Sequence, residues 1–160
     1  RPEILANLKL IKKFGIFLQK MFCYKLNIYN PHESPWEGSR ICLKKNLKSI
    51  DFLRQKILKK NTRYPFWRID KEKSIQLIEN GGWHFNYLTE PEKISQKLKT
   101  FAHTEYNKDK FTDIGAIKNN INEMRDLFNK GYKYYKVQLD KTFPNYILNN
   151  QSKFNQWIEQ

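Results

Sequence analysis

The sequence predicts an α/β protein with a short mixed sheet flanked by helices. Segments that alternate apolar and polar residues, as strands do, are interspersed with segments whose apolar residues recur at helical spacing. The 160 residues are enough to enclose a core, and 39% hydrophobic and 15% aromatic residues are too many for a disordered chain. Only six glycines and six prolines are present, which excludes fibrous and linker classes.

In the first half of the chain the pattern predicts a helix, two strands and a second helix. Residues 1–15 begin with a proline in the first turn and end at Gly15, and such residues are typical of the two ends of a helix. Residues 16–29 and 39–45 are predicted strands, and the loop between them contains two prolines. Residues 49–60 are predicted to form an amphipathic helix, which an aromatic loop follows. Its predicted apolar face consists of Ile50, Leu53, Ile57 and Leu58.

The second half continues the alternation. Strands are predicted on either side of a Gly81-Gly82 turn, because glycine reaches positive φ without steric cost. A helix with Thr89 as its cap and a proline in its first turn follows, and the next helix closes at Gly131. A short strand and two short helical pieces complete the chain. The predicted ranges are 74–79 and 83–88 (strands), 89–106 and 113–131 (helices), 134–140 (strand) and 143–158 (helical pieces).

The charge of the chain bears on its partners. The formal net charge is +14 and the isoelectric point is about 9.7, a balance that favours polyanions such as nucleic acid, anionic lipid headgroups or phosphate-bearing substrates. The lysines are scattered, however, and the abundance of Lys, Asn and Ile also suits a compositional bias. No RNA-binding or helix-turn-helix signature is present, so no specific nucleic acid is expected. Peripheral contact with an anionic membrane remains open.

Cysteine usage and hydropathy indicate the compartment. Cys23 and Cys42 do not form a CxxC pair, which argues against structural zinc, and two thiols suit a reducing cytoplasm, with a single bridge as the alternative. No run of about 18 apolar residues exists, so no membrane span is predicted. We expect a cytoplasmic or peripherally membrane-associated protein.

Two aromatic motifs are candidates for binding a sugar. Trp83 and His84 place an indole beside a titratable ligand in the segment Gly82-Trp83-His84-Phe85, which suits a sugar or a metal and also suits a buried strand. Trp36 precedes Glu37 and Gly38 on a predicted loop. There the ring could stack on a pyranose while the carboxylate accepts a hydroxyl proton, or the indole could fold back onto the core.

Other candidates are charged. His103 and Glu105 near a helix end could bind a metal or transfer a proton, or the imidazole could simply interact with the helix dipole. Arg54, Arg63 and Arg68 could reach a pyrophosphate, or be solvated surface groups. The sequence contains no P-loop, GxGxxG or HExxH motif. It also contains no GxSxG motif, and nucleophilic Ser or Cys catalysis has no visible support.

In their order these segments resemble glycosyltransferase family 17. The block GGWHFNYLTEPEKISQKLKTFAHTEYN at 81–107 is similar to the family's Gly-Trp-His-Phe segment, its Pro-Glu-x-Ile-x-x-Lys-Leu helix and its Phe-Ala-His-x-Glu. FPNYILNN at 143–150 resembles the family's C-terminal element, and RPEILANL at 1–8 resembles the stretch after its Asp-x-Asp motif. The resemblance extends over nearly the whole chain and implies a partial GT-A-like fold.

The resemblance also implies an activity. It implies inverting transfer of N-acetylglucosamine from a UDP-sugar to a glycan or glycoconjugate acceptor, as in the β-1,4-mannosyl-glycoprotein 4-β-N-acetylglucosaminyltransferases. A divalent metal, usually Mn²⁺, would hold the diphosphate. The chain lacks Asp-x-Asp, so residues 1–160 are expected to be the C-terminal, acceptor-side portion of the domain, inactive without the upstream nucleotide-binding half.

By the same resemblance we assign roles to individual residues. His84, then His103, are candidate metal ligands, and Glu37, then Glu105, are candidate catalytic bases. Arg54 and Lys97 are candidate phosphate contacts of the donor. The candidate substrate-binding residues are Trp36, Gly82, Trp83 and Phe85. The alternative function is a non-catalytic basic module that binds polyanions or glycans.

Overall fold

The computed structural model describes residues 2–100 and 108–160. The chain divides into two compact units, which we call unit one (residues 1–20 and 34–84) and unit two (21–33 and 85–160). The architecture is α/β, with a small sheet and flanking helices, which confirms the coarse prediction. None of the helices in the described ranges is long and apolar enough to cross a bilayer.

The elements are short, and several are single turns. The helices are α1 (Pro2–Ala6), α2 (Ile50–Gln55), α3 (Pro91–Lys99), α4 (Asp109–Thr112), α5 (Ile114–Asn122) and α6 (Asn145–Leu148). The strands are β1 (Phe14–Cys23), β2 (Ile28–Tyr29), β3 (Trp36–Cys42), β4 (Ile75–Asn86) and β5 (Tyr135–Lys136). Segments of 3₁₀-helix cover Lys44–Asn46, Lys59–Arg63 and Gln151–Trp157.

The long strand β1 is the centre of the sheet. The strand order is β3-β1-β2-β5, and β4 also pairs with β1. The β1–β3, β1–β2 and β2–β5 pairings are antiparallel. The amide of Phe14 donates to the carbonyl of Ser74 and that of Tyr24 to the carbonyl of Asn86, so β4 follows β1 in the same chain direction. Most of β1 is buried, as expected of a strand with neighbours on both edges.

Each unit has its own core. In unit one, buried side chains of β1 and β4 pack with Ile57, and α2 covers them with its Phe52 and Leu53. In unit two, the buried end of β1 packs against helices α3 and α5. Ile94 and Leu98 of α3 are four residues apart, so they lie on one helix face, and burial of each stabilises the unit by about 1.5–3 kcal/mol.

The predicted helix over 1–15 is wrong beyond Ala6, and Gly15 lies in β1. The side chains of Gln76 in β4 and of Ser74 just before it form hydrogen bonds with the backbone groups that a helix would use. The amide of Ile11 donates to Oε1 of Gln76, whose Nε2 donates to the carbonyl of Lys9. The amide of Lys13 donates to the Ser74 hydroxyl. These partners lie more than 60 residues away, which local periodicity cannot indicate.

The other helices are also shorter than predicted. Helix α2 begins after Ser49, whose hydroxyl accepts from the amide of Phe52, and ends at Gln55, so the buried Ile57 lies beyond it while Ile50 is exposed. The cap of α3 is Glu90 rather than Thr89, without a side-chain bond. Asp113 caps α5 through the amide of Ala116. That helix ends at Asn122, nine residues before Gly131.

The predicted strands change in their boundaries. The strand expected at 16–29 is divided at Tyr24, whose φ of 68° starts a turn between β1 and β2. The segment at 134–140 is a strand only at Tyr135–Lys136. The two short helical pieces predicted for 143–158 are present as α6 and the last 3₁₀ segment.

The Gly81-Gly82 turn is absent, because β4 runs through both glycines as one strand. A Cβ on Gly81 would lie 2.7 Å from the Cβ of Phe17 and 3.0 Å from the amide nitrogen of Leu18. A glycine within a strand can mark a bend or a close approach of another backbone, and Gly81 marks a close approach of β1. Two strand residues nearby have positive φ, Asn80 at 52° and Gly82 at 136°.

Candidate functional site

The most distinctive feature of unit one is a stack between Trp36 and His84. The indole and imidazole centroids are 5.2 Å apart, with an interplanar angle of 24°. Trp36 is the first residue of β3, not a loop residue as predicted, and it keeps 39% of its surface exposed. His84 lies near the end of β4 and is half-buried.

Strand register explains why these two rings meet. Gln19 of β1 lies directly opposite Trp36 of β3, and directly opposed residues of an antiparallel pair project on the same side. On β4, Gly82 and His84 are two residues apart and therefore share a face. We call the surface made by Gln19, Trp36, Gly38, Gly82 and His84 the aromatic face.

Two glycines make room for the side chain of Gln19 on the aromatic face. A Cβ on Gly38 would overlap the amide oxygen of Gln19, and one on Gly82 would lie 3.5 Å from its Nε2. The amide supplies both donors and an acceptor beside the ring stack. Sequence reasoning missed Gln19; the available signal was a polar Gln-Lys pair inside the otherwise apolar strand FGIFLQKMFC.

The carboxylate of Glu37 belongs to a different environment. Glu37 is opposite Leu18, a residue of the unit-one core, so it projects away from the aromatic face. Its Oε2 accepts from the amide of Lys59 at 2.9 Å and lies 3.7 Å from the guanidinium of Arg40. Trp36 and Glu37 therefore project to opposite sides of β3, and the strand does not direct both of them at one sugar as the sequence predicted.

Arg40 contacts both the Glu37 carboxylate and nearby backbone carbonyl oxygens. Its guanidinium donates to the carbonyl oxygens of Ile57 at 2.8 Å and of Glu37 and Gly38 at 3.0 Å each. A register shift between Ile16 and Leu18 on β1 accompanies this arrangement. Burial lowers the pKa of Arg40, the charge of Glu37 opposes that shift, and nearby Arg54 adds to it. The anchor fixes the backbone of β3 just after Trp36.

The remaining predicted site residues are scattered. Trp83 is half-buried on β4, one residue from His84 and therefore on the opposite side of that strand. Arg54 is an exposed residue in the last turn of α2. In unit two, Phe85 packs on Phe22 with centroids 5.6 Å apart, and the ammonium of Lys97 lies 4.9 Å from the Tyr87 ring centroid. His103 and Glu105 lie outside the described residues.

The metal role predicted for His84 stays a prediction. Among residues 2–100 and 108–160, no group of three or more His, Cys, Asp or Glu side chains is placed to hold a metal ion. The imidazole of His84 could supply one ligand of a metal whose other ligands this finding leaves unassigned. Cys23 and Cys42 are both free thiols.

Comparisons with known proteins give no assignment. No protein-family model matches the chain, and neither a curated protein nor a solved structure does. The chemistry of the aromatic face is therefore the guide to function. A half-exposed indole with an imidazole stacked beside it and a carboxamide next to both combines an apolar plate with hydrogen-bonding groups, the combination that a pyranose ring requires.

Proposed function

We propose that the chain is the acceptor-side part of a glycosyltransferase and that the aromatic face receives a sugar ring. The observation that carries the proposal is the Trp36–His84 stack. A pyranose has one face of C–H groups, which packs on an indole, and an edge of hydroxyls, which needs donors and acceptors within reach. His84 and Gln19 supply those groups beside Trp36.

The resemblance to glycosyltransferase family 17 supports the same reading and extends it. His84 belongs to the block at 81–107 on which that resemblance depends. By the resemblance, the donor is UDP-N-acetylglucosamine, the acceptor is a glycan or glycoconjugate, and the transfer inverts the anomeric centre. Mn²⁺ would neutralise the departing diphosphate, with His84 as one ligand.

The base that deprotonates the acceptor hydroxyl remains a prediction. Glu37 is held by Arg40 and by the amide of Lys59, and it faces away from Trp36. We therefore assign Glu37 a positioning role, in which its anchor fixes the strand that carries Trp36. Glu105, the other predicted base, lies outside the described residues.

The test is a binding measurement with matched tryptophan variants. Saturation-transfer NMR would be recorded with N-acetylglucosamine, a mannose-terminated glycan and UDP-N-acetylglucosamine. We expect Trp36→Ala to weaken sugar binding by about tenfold or more, since the sugar would lose the apolar area of the indole, and tenfold corresponds to about 1.4 kcal/mol. Trp67→Ala, which removes another exposed indole of unit one, is expected to leave it unchanged.

Two results would overturn the proposal. One is the absence of any sugar signal from all three probes; the other is equal loss of signal in the Trp36 and Trp67 variants. Transfer itself would be measured with UDP-N-acetylglucosamine, Mn²⁺ and the glycan, using a chain that includes the upstream half implied by the resemblance. There, His84→Ala is expected to abolish Mn²⁺-dependent transfer while the circular dichroism spectrum is retained.

The net charge of +14 supports a second candidate, a non-catalytic module that binds polyanions. In unit one, a cleft of about 620 Å³ is lined in part by Lys48, Lys56, Lys60 and Lys71. Binding to mixed nucleic acid with a steep dependence on salt, without response to any sugar, would favour this candidate over the transferase.

A further inference from the structure

Unit one presents a compact group of exposed apolar side chains that the aromatic face does not use. Phe66 is 85% exposed, Trp67 66% and Ile69 93%. The two rings meet edge to face, with centroids 5.2 Å apart. Single exposed apolar residues are ordinary, but three large ones within four consecutive positions form a patch that indicates an interaction site. We call Phe66, Trp67 and Ile69 the apolar tip.

The backbone behind the apolar tip is held in place. The ammonium of Lys73 donates to the carbonyl oxygens of Phe66 at 3.0 Å and Arg68 at 2.9 Å. The Arg68 guanidinium forms two bonds to the Asp70 carboxylate, at 2.7 and 2.8 Å. The amide of Arg68 also donates to the carbonyl of Pro65. Because this turn is already formed, presenting its side chains to a partner costs little ordering entropy.

The segment that carries the apolar tip is positively charged. Residues 59–73 contain six basic and two acidic side chains, a formal net charge of +4. Both acids are paired with bases: Glu72 lies 3.8 Å from the ammonium of Lys13, and Arg68 and then Lys71 hold the pKa of Asp70 well below its usual range. A partner of the tip should therefore combine apolar material with negative charge.

We propose that the apolar tip inserts into the interfacial layer of a bilayer that contains anionic lipid, while the surrounding basic side chains contact the headgroups. Tryptophan favours the boundary between headgroups and acyl chains, and lysine and arginine favour an anionic surface. Single-stranded nucleic acid would use stacking rings in a basic groove, whereas Ile69, the most exposed residue of the tip, has no ring to stack. This inference does not depend on the proposed transferase activity.

Vesicle sedimentation tests the proposal. The probes are vesicles of phosphatidylcholine alone and of phosphatidylcholine with about 30% phosphatidylglycerol, since anionic lipid is required for the charge contribution. We expect binding only to the anionic vesicles, and a loss of about tenfold or more in the double variant Phe66→Ser, Ile69→Ser, since two apolar side chains that would be buried in the bilayer are removed. The matched control Ile11→Ser, Ile50→Ser removes two exposed isoleucines elsewhere in unit one and is expected to bind as the unaltered chain does.

A second measurement locates the inserted residue. Brominated acyl chains should quench part of the tryptophan fluorescence of the bound protein. Trp67→Phe should abolish this quenching while binding is largely retained, because phenylalanine keeps the apolar contact. Equal binding to both vesicle types, equal loss in the control variant, or quenching that persists in Trp67→Phe would each overturn the proposal. Binding of the tip to mixed-sequence single-stranded RNA but not to vesicles would also overturn it.

Discussion

Gly81 of β4 and Phe17 of β1 approach so closely that a methyl group on Gly81 would lie 2.7 Å from the Cβ of Phe17 and 2.9 Å from its Cα. No side chain fits between the strands at this point. The glycine therefore sets the separation of the strands whose faces carry Gln19 and His84, and the geometry of the candidate site depends on it.

Gly81→Ala is expected to lower the free energy of unfolding by about 1–3 kcal/mol, because the strands must separate to admit the methyl group. Urea denaturation followed by circular dichroism measures this. The control is Gly131→Asn in unit two, where φ is 77° and no atom lies within 4 Å of a Cβ. Asparagine tolerates that conformation, so a loss below about 1 kcal/mol is expected. Equal losses would contradict the close-approach explanation.

Arg40→Lys is expected to destabilise the chain by about 2 kcal/mol, since an ammonium cannot reproduce the fork that binds three carbonyl oxygens. Chemical denaturation gives the value. Arg54→Lys, the same change at an exposed site on α2, should alter stability by less than about 0.5 kcal/mol. If Arg40→Lys is as mild as its control, Arg40 does not anchor β3.

Asp126→Asn is expected to cost about 2 kcal/mol in unit two. The buried carboxylate accepts from the amides of Phe128, Lys130 and Tyr132, and an asparagine amide would oppose one of these donors with its own N–H. The exposed Asp140, which accepts from Thr142, provides the matched Asp→Asn control, with an expected change below about 1 kcal/mol. A result in which both variants lose the same stability would show that the three amides do not require the charge.

Cys23 is expected to make the protein less stable in alkali. Burial, opposed by a hydrogen bond from Asn30, raises the pKa of the Cys23 thiol from 9.0 to about 12. Above pH 9 the unfolded chain therefore loses a proton that the folded chain retains, and the free energy of unfolding falls as the pH rises towards 12. Well below pH 9 the thiol is protonated in both states and contributes no pH dependence.

Urea denaturation at several pH values between about 8 and about 10 measures this slope, a range that ends near the ordinary pKa of tyrosine. Burial also raises the pKa values of Tyr24 and Tyr134, which add to the decline at higher pH. Cys23→Ala should flatten the slope, whereas Cys42→Ala is the control. An unchanged slope in Cys23→Ala would contradict the assignment.

The predictions that succeeded were those that depend on local chemistry. Ile94 and Leu98 are spaced for one helix face, and Pro91 suits the first turn, so α3 was predictable where the structure describes it. The buried end of β1 was predictable from its apolar run. Their boundaries were not, because the partners that end them, such as Gln76 for residues 9–11, are distant in sequence.

The candidate site shows the same division. The sequence alone identified Trp36 and His84 as residues of interest, because an indole next to a carboxylate and an imidazole next to an indole both suit a sugar, with a place in the core as the alternative for each. It could not show that they stack or that Gln19 lies beside them. It also could not show that Glu37 faces the other way, because a one-residue difference in strand register reverses the side to which a side chain projects.

The sequence by itself determined the α/β class, the excess of positive charge and the presence of aromatic residues suited to a sugar. Composition and periodicity suffice for these properties because they are sums over local residues. Only the tertiary structure decided that the paired glycines form a close strand contact rather than a turn, and that Phe66, Trp67 and Ile69 are all exposed. The first depends on which distant backbone the glycines meet and the second on how far other segments cover these side chains, and no local pattern contains that information.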